Sequence, residues 1–185
     1  NILAYNNVKF FKSDLQGKCD SISYNFSDTI VEMYKKPILW TNDLQITADS
    51  LRFKIFDGEI EYMILKPNPL IVSIEDSIDF NQIIGKKMTA YFKKNRLNKI
   101  DVFGNGQSIF VVRNEETNKK IGLNYTKSSD LILYFNNNKL DNVVYEIKPN
   151  SKTIPYKDIE ETERYVKGFS WRLNEQPKNK DEILK

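Results

Sequence analysis

The 185-residue sequence predicts an all-β fold, and three observations carry that expectation. Short runs alternate apolar and polar residues, clusters of Pro, Gly and Asn separate the runs, and the runs recur as a repeat. Successive side chains of a strand point to opposite faces, so a half-buried strand shows a period of two. Residues that fix φ or tolerate positive φ punctuate such strands.

Taken in order, Ser21-Ile22-Ser23-Tyr24-Asn25-Phe26 alternates with Ile22, Tyr24 and Phe26 on one face. Glu59 to Ile64 alternates in the same way through Ile60, Tyr62 and Ile64. Leu131, Leu133 and Phe135 form a third series, and Val143, Tyr145 and Ile147 a fourth. Turns are expected at Lys35-Lys36-Pro37, Lys66-Pro67-Asn68-Pro69, Gly104-Asn105-Gly106, Asn136-Asn137-Asn138 and Lys148-Pro149-Asn150. Gly104-Asn105-Gly106 lacks the Lys-Ser/Thr and following helix of a phosphate loop and reads as a hairpin.

The repeat aligns Asp20 to Phe26 with Asp49 to Ile55, then with Lys87 to Phe92, and more faintly with Leu123-Asn124-Tyr125. A second apolar run and a Pro or Gly turn follow each copy. Spacings of about 30 to 40 residues mark stacked, quasi-one-dimensional architectures. Their irregularity favours a coiled sheet folded over on itself. Helical spacing occurs once, from Asp158 to Val166, where one short helical turn is expected to end at Gly168. Residues 1–177 read as a single domain and 178–185 as a polar, loosely ordered tail.

Composition removes several classes of function. The 28 basic and 25 acidic residues are interspersed, giving a net charge of +3 without the dense basic footprint of a nucleic-acid binder. Histidine is absent, which removes the commonest general base and zinc ligand. Cys19 is alone, so no intrachain disulfide forms. No apolar stretch approaches eighteen residues, so no helical membrane span is expected. The opening Asn1-Ile2-Leu3-Ala4-Tyr5 has neither methionine nor a basic start, and reads as a processed piece whose export signal is not in this chain.

Candidate chemistry is sparse. Glu59 and Glu61 lie about 7 Å apart on one strand face, a separation some glycosidases use, but they form the wet side of an amphipathic strand. No Asp-x-Asp-x-Asp-Gly spacing points to calcium. No catalytic residue, metal or cofactor is expected. The ten tyrosines and eleven phenylalanines mostly hold apolar parity positions. They build either a filled core or an open groove for an apolar ligand.

At Ile46-Thr47-Ala48-Asp49-Ser50-Leu51-Arg52-Phe53, preceded by Pro37-Ile38-Leu39-Trp40, the sequence resembles the repeat of the OstA/LptA-like proteins of lipopolysaccharide export. Gly168-Phe169-Ser170-Trp171-Arg172 with Pro177 is similar to the close of the OstA-like proteins of the Bacteroidota. The resemblance spans roughly residues 8–177. It implies a β-jellyroll folded like a taco in the periplasm, with an apolar channel for lipopolysaccharide acyl chains. It also implies end-to-end strand addition between jellyrolls. Alternation supplies the lipid-groove residues: Tyr24, Phe26, Leu51, Phe53, Ile60, Tyr62, Ile64 and Phe92. The segment from Tyr156 to Arg172 is expected to cover the last rung, leaving the first, around Val8 to Phe11, bare. The competing reading is a structural or adhesin-type scaffold with a filled core and no lipid. A carbohydrate-active enzyme on a β-helix is disfavoured by the missing histidine and the lack of inward carboxylate pairs.

Overall fold

The computed structural model describes residues 1–41, 43–94, 96–136 and 139–183. Fourteen strands occur among them, all paired antiparallel: β1 (Ile2–Lys12), β2 (Leu15–Asn25), β3 (Ile30–Tyr34), β4 (Ile38–Thr41), β5 (Leu44–Thr47), β6 (Ser50–Phe56) and β7 (Glu59–Lys66). They continue as β8 (Leu70–Ile74), β9 (Phe80–Ile84), β10 (Lys87–Lys93), β11 (Arg96–Arg113), β12 (Lys120–Asn136), β13 (Lys139–Tyr145) and β14 (Asn150–Pro155). One sheet holds them in the order β10-β7-β6-β3-β2-β4-β5-β8-β9-β11-β12-β13, with β1 beside β2 and β14 beside β12. The all-β expectation holds.

The registers divide this sheet into two leaves. Residues 21–25 of β2 pair with β3, and residues 16–18 pair with β4. At the other end, β10 pairs residues 96–103 of β11 and β9 pairs residues 107–109. Likewise β13 takes residues 131–136 of β12 and β14 takes residues 122–127. The first leaf therefore contains β3, β6, β7, β10 and β13. The second contains β4, β5, β8, β9 and β14. The long strands β1, β2, β11 and β12 run through both.

The leaves meet along a seam of left-handed backbone at Asn6, Asn7, Lys35, Lys36, Asn68, Gly104, Asn105 and Lys148. Gly104-Asn105 is therefore not a hairpin. It is an irregularity inside β11, where the β12 register shifts between Phe103 and Gly106. A bulge of this kind bends a strand without ending it. The carboxylate of Asp130 accepts the Gly104 N–H at 2.7 Å and stabilises the bend. The fourth repeat copy also moves. Leu123-Asn124-Tyr125 lies in the second leaf, and the segment equivalent to residues 20–26 and 49–55 is Leu131 to Phe135 in the first. Asn137 and Asn138, expected in a turn, lie outside the described residues.

Between the leaves sits one apolar core. It includes Met33, Leu51, Leu65, Met88, Ile100, Leu131 and Leu133 from the first leaf, with Leu39, Ile46, Ile71 and Ile83 from the second. At about 1.5–3 kcal/mol for each large side chain fully buried, this cluster dominates the stability of the fold.

The helical signal after Asp158 becomes 3-10 turns, Tyr156–Asp158 and Glu161–Glu163, with two more at Leu173–Glu175 and Lys180–Ile183. Gly168 has φ of +82°, and the Phe169 N–H bonds back to Val166. The segment does not cover the last rung. It crosses the outer face of the second leaf, roughly perpendicular to the strands, as a strap.

A cross-strand row explains the path. Register pairs run Gln16, Trp40, Gln45, Val72, Gln82, Ile109 and Tyr125 across seven strands. The buried Gln82 amide donates to the Arg164 carbonyl at 2.8 Å and accepts the Val166 N–H at 2.9 Å. Gln45 does the same for Ser170 O and Arg172 N, at 2.6 and 2.7 Å. Gln16 accepts from the Gln176 amide at 2.7 Å. Gln82 and Gln45 each present a donor and an acceptor, so they pair the strap as a backbone peptide would, whereas the Gln16 amide donates to its own hairpin at Lys12 O. Between these clamps Val166, Tyr165, Phe169 and Trp171 pack on Leu70, Val72, Phe80 and Ile109.

A candidate ligand-binding interior

The first leaf presents an unbroken apolar inner face. Pairs Val31–Phe53–Met63 and Met33–Leu51–Leu65–Met88 cross β3, β6, β7 and β10, and Leu97, Ile100 and Val102 carry the surface into β11. Alternation alone places these side chains inward, and the long hydrophobic β-branched or unbranched chains fill the space between leaves. The second leaf differs along its length. Its β1–β5 half offers Phe10, Leu15, Leu39, Leu44 and Ile46, whereas its β8–β14 half mixes Ile71, Ile83 and Phe110 with Ser108, Asn124 and Thr126.

The interior is closed along its middle: Met33, Leu65, Met88, Ile100, Leu131 and Leu133 have no solvent exposure. Openings lie at the lips, where the hairpins of the two leaves come together. One cleft of about 520 Å³ reaches Leu97 and Phe135 beneath a rim of Lys93, Lys94 and Arg96. Another, of about 330 Å³, places Leu44 and Ser73 of the second leaf beside Leu140 of the first. Among the described residues no backbone ladder joins one lip to the other.

The expected groove residues fall into three groups. Leu51 and Phe53 are buried in the core, and Tyr24, Ile60 and Phe92 are partly buried against it. Phe26 lies beyond the end of β2 at the first lip, 56% exposed, with its ring 4.8 Å from that of Tyr24. Tyr62 and Ile64 are on the outer face, which corrects their expected inward orientation. The register between β6 and β7 shifts so that Lys54 faces Tyr62 while Ile55 faces Ile60, leaving Glu61 as an extra residue. A one-residue slip exchanges the faces. Beyond it, Met63 and Leu65 point inward instead.

The sequence reads Ile38-Leu39-Trp40, Leu70-Ile71-Val72 and Ser108-Ile109-Phe110 as further short strands but does not mark them as a wall of the interior. Leu70-Ile71-Val72 shows no alternation because both its faces are buried, Ile71 in the interior and its neighbours under the strap. A run of consecutive apolar residues was the available signal.

Electrostatics distinguish the two outer faces more than the interior. Asp79, 4% exposed, accepts from the Tyr156 hydroxyl at 2.8 Å, Arg164 at 3.0 Å and Lys120 at 2.9 Å, fastening the start of the strap. Burial and this carboxylate raise the Tyr156 hydroxyl pKa. Near the other end, Glu175 accepts from Arg172 Nε and from Lys18 Nζ, both at 2.5 Å. These donors, Arg172 first, hold its carboxyl pKa down from 4.5 to about 2. Burial pushes the Cys19 thiol to about 11, which makes it a poor nucleophile.

The structure matches the crystal structure of LptH, the LptA homologous periplasmic component of the lipopolysaccharide transport device from Pseudomonas aeruginosa. The match has a TM-score of 0.55 and covers 76% of this chain and 93% of that one. The fold is LptA-like. Sequence identity is 8%, so the likeness is one of fold. No protein-family model and no curated protein matches the sequence. No helix among the described residues is long and apolar enough to cross a membrane.

Proposed function

We propose that this protein is a periplasmic, non-catalytic carrier in lipopolysaccharide export that shelters acyl chains between its two leaves. The observation that carries this reading is the continuous apolar inner face of the first leaf within an LptA-like fold. Acyl chains enter from the lips, where among the described residues no backbone ladder joins the leaves. Burying each CH₂ contributes about 0.8 kcal/mol, so a few chains are retained without chemistry. Tyr24, Leu51, Phe53, Ile60 and Phe92 form the groove, with Phe26 at its rim, while Tyr62 and Ile64 lie outside it. Jellyrolls of the same kind dock end to end, since among the described residues β1 pairs only with β2, and β13 and β14 only with β12. Those free N–H and C=O groups accept a further strand.

A filled-core scaffold without lipid is the second reading, favoured by the complete burial of Met33, Leu65 and Met88. Photo-crosslinking separates the two. Photoreactive residues at Leu51, Phe53 and Phe92 should capture lipopolysaccharide, while Ser23, Glu59 and Tyr62 should not. Equal labelling of both sets, or none at either, contradicts the carrier.

A further inference from the structure

We infer that the C-terminal mouth of the interior, between β13 and β14, binds the carbonyl-bearing junction of an acylated amphiphile. This rests on the carrier reading and names the site that reads the ligand's chemistry. The two walls of the mouth are chemically opposite. From the first leaf, Leu140, Val143 and Tyr145 continue the apolar core to the edge of the sheet, each partly buried. From the second leaf come Asn124, Thr126, Ser151 and Thr153, which share the inner face of β12 and β14. The Tyr145 hydroxyl meets Ser108 Oγ at 2.8 Å, so the two walls are in register with each other.

The polar wall is a network with donors left over. Asn124 Nδ2 donates to Ser151 Oγ at 2.9 Å and to Thr153 Oγ1 at 3.0 Å. Thr126 Oγ1 lies 2.8 Å from Asn124 Oδ1 and 2.9 Å from Ser151 Oγ. Asn124 Oδ1 can only accept, so Thr126 gives its one proton to it and the Ser151 hydroxyl donates to Thr126 Oγ1; Thr153 accepts from Asn124, and among the described residues its own proton has no acceptor. Both side chains are exposed at the edge strand. Tyr145 and Ser108 share one hydrogen bond between two hydroxyls, which frees a second donor.

An occupant that satisfies this surface carries oxygen acceptors immediately beside an alkyl chain. An ester or amide carbonyl at the head of an acyl chain has that form. A phosphate does not fit as well, because no lysine or arginine belongs to the inner-face cluster. Lys152, on the same strand, points to the outer face, over the Tyr125 ring and towards Glu163. The alkyl chain would run inward along Val143 and Phe110 while the carbonyl accepts from Thr153.

Monomyristoylglycerol and tetradecane serve as paired probes, one with the acceptor and one without. The test variant is T153V, which preserves shape at an exposed position of an edge strand. Unchanged thermal melting controls for folding. Wild type should bind monomyristoylglycerol, and the variant should bind it about 3–10-fold more weakly, the loss expected for one hydrogen bond. Tetradecane uptake should be equal in both. Equal affinity for monomyristoylglycerol in both proteins overturns the mouth while leaving the carrier standing. Failure of wild type to take up either probe overturns both.

Discussion

The two leaves have the same antiparallel ladders and face the same core, yet they are held in different ways. The outer face of the first leaf is bare. Its cross-strand row Lys54, Tyr62, Tyr91, Lys99 and Tyr134 meets solvent, tied by contacts such as Lys99 over the Tyr91 ring and the exposed Arg52–Glu32 pair. The second leaf is covered on both sides, by the core and by the strap. Its strands are joined laterally by backbone ladders and again, at right angles, by three glutamine clamps and an aromatic cluster. In that cluster Phe80 lies 5.1 Å from Phe169 and 5.2 Å from Trp171, and Tyr165 stacks on Phe169 at 4.4 Å. The difference leaves one wall tied twice over, by its ladders and by the strap, and the other tied by its ladders and the core alone.

The sharpest way to break that asymmetry is to cut a clamp. Gln82→Ala removes two hydrogen bonds and leaves the Arg164 carbonyl and Val166 N–H buried without partners, which should cost about 2–4 kcal/mol. Arg52→Ala, on the bare face of the first leaf, should cost below about 0.5 kcal/mol. Urea denaturation of the two variants measures the contrast, and equal losses would mean that the strap does not reinforce the second leaf.

A smaller effect is expected from pH. The folded pKa of Glu175 lies near 2, below its ordinary 4.5, so its contribution is present above about pH 4.5 and is lost as pH falls towards 2. Wild type should exceed Glu175→Gln by on the order of 2 kcal/mol at pH 6, and the gap should close as pH approaches 2. A gap independent of pH would show that Lys18 and Arg172 do not anchor the strap through this carboxylate.

Much of this architecture was legible from alternation. Leu51 with Phe53, and Leu131 with Leu133, announced strands with one apolar face, and Lys35-Lys36 and Asn68 announced bends. What escaped were features that alternation cannot encode. The extra residue at Glu61 turned Tyr62 and Ile64 outward, although the letters on either side still alternate. Gly104-Asn105 resembled a hairpin because left-handed residues serve a bulge as well as a turn. The strap was hidden for another reason. Nothing near Gln45 and Gln82 in the sequence announces their partners Ser170, Arg172 and Val166, which arrive from more than eighty positions away. For the interior, parity identified Leu51, Phe53 and their neighbours in the first leaf. It gave little sign of the second leaf or of the polar mouth at Asn124 and Ser151.

Ligand entry by separation of the lips, as proposed, would move the hairpins at the ends of the two leaves apart. Spin labels on Asp57→Cys at the β6–β7 hairpin and Ser77→Cys at the β8–β9 hairpin report the distance between them, since both turns are exposed and Cys19 is buried. The account predicts a shift to longer distances, with a broader distribution, when lipopolysaccharide is added, and no shift with a sugar that lacks acyl chains. A distribution that lipopolysaccharide leaves unchanged would contradict it.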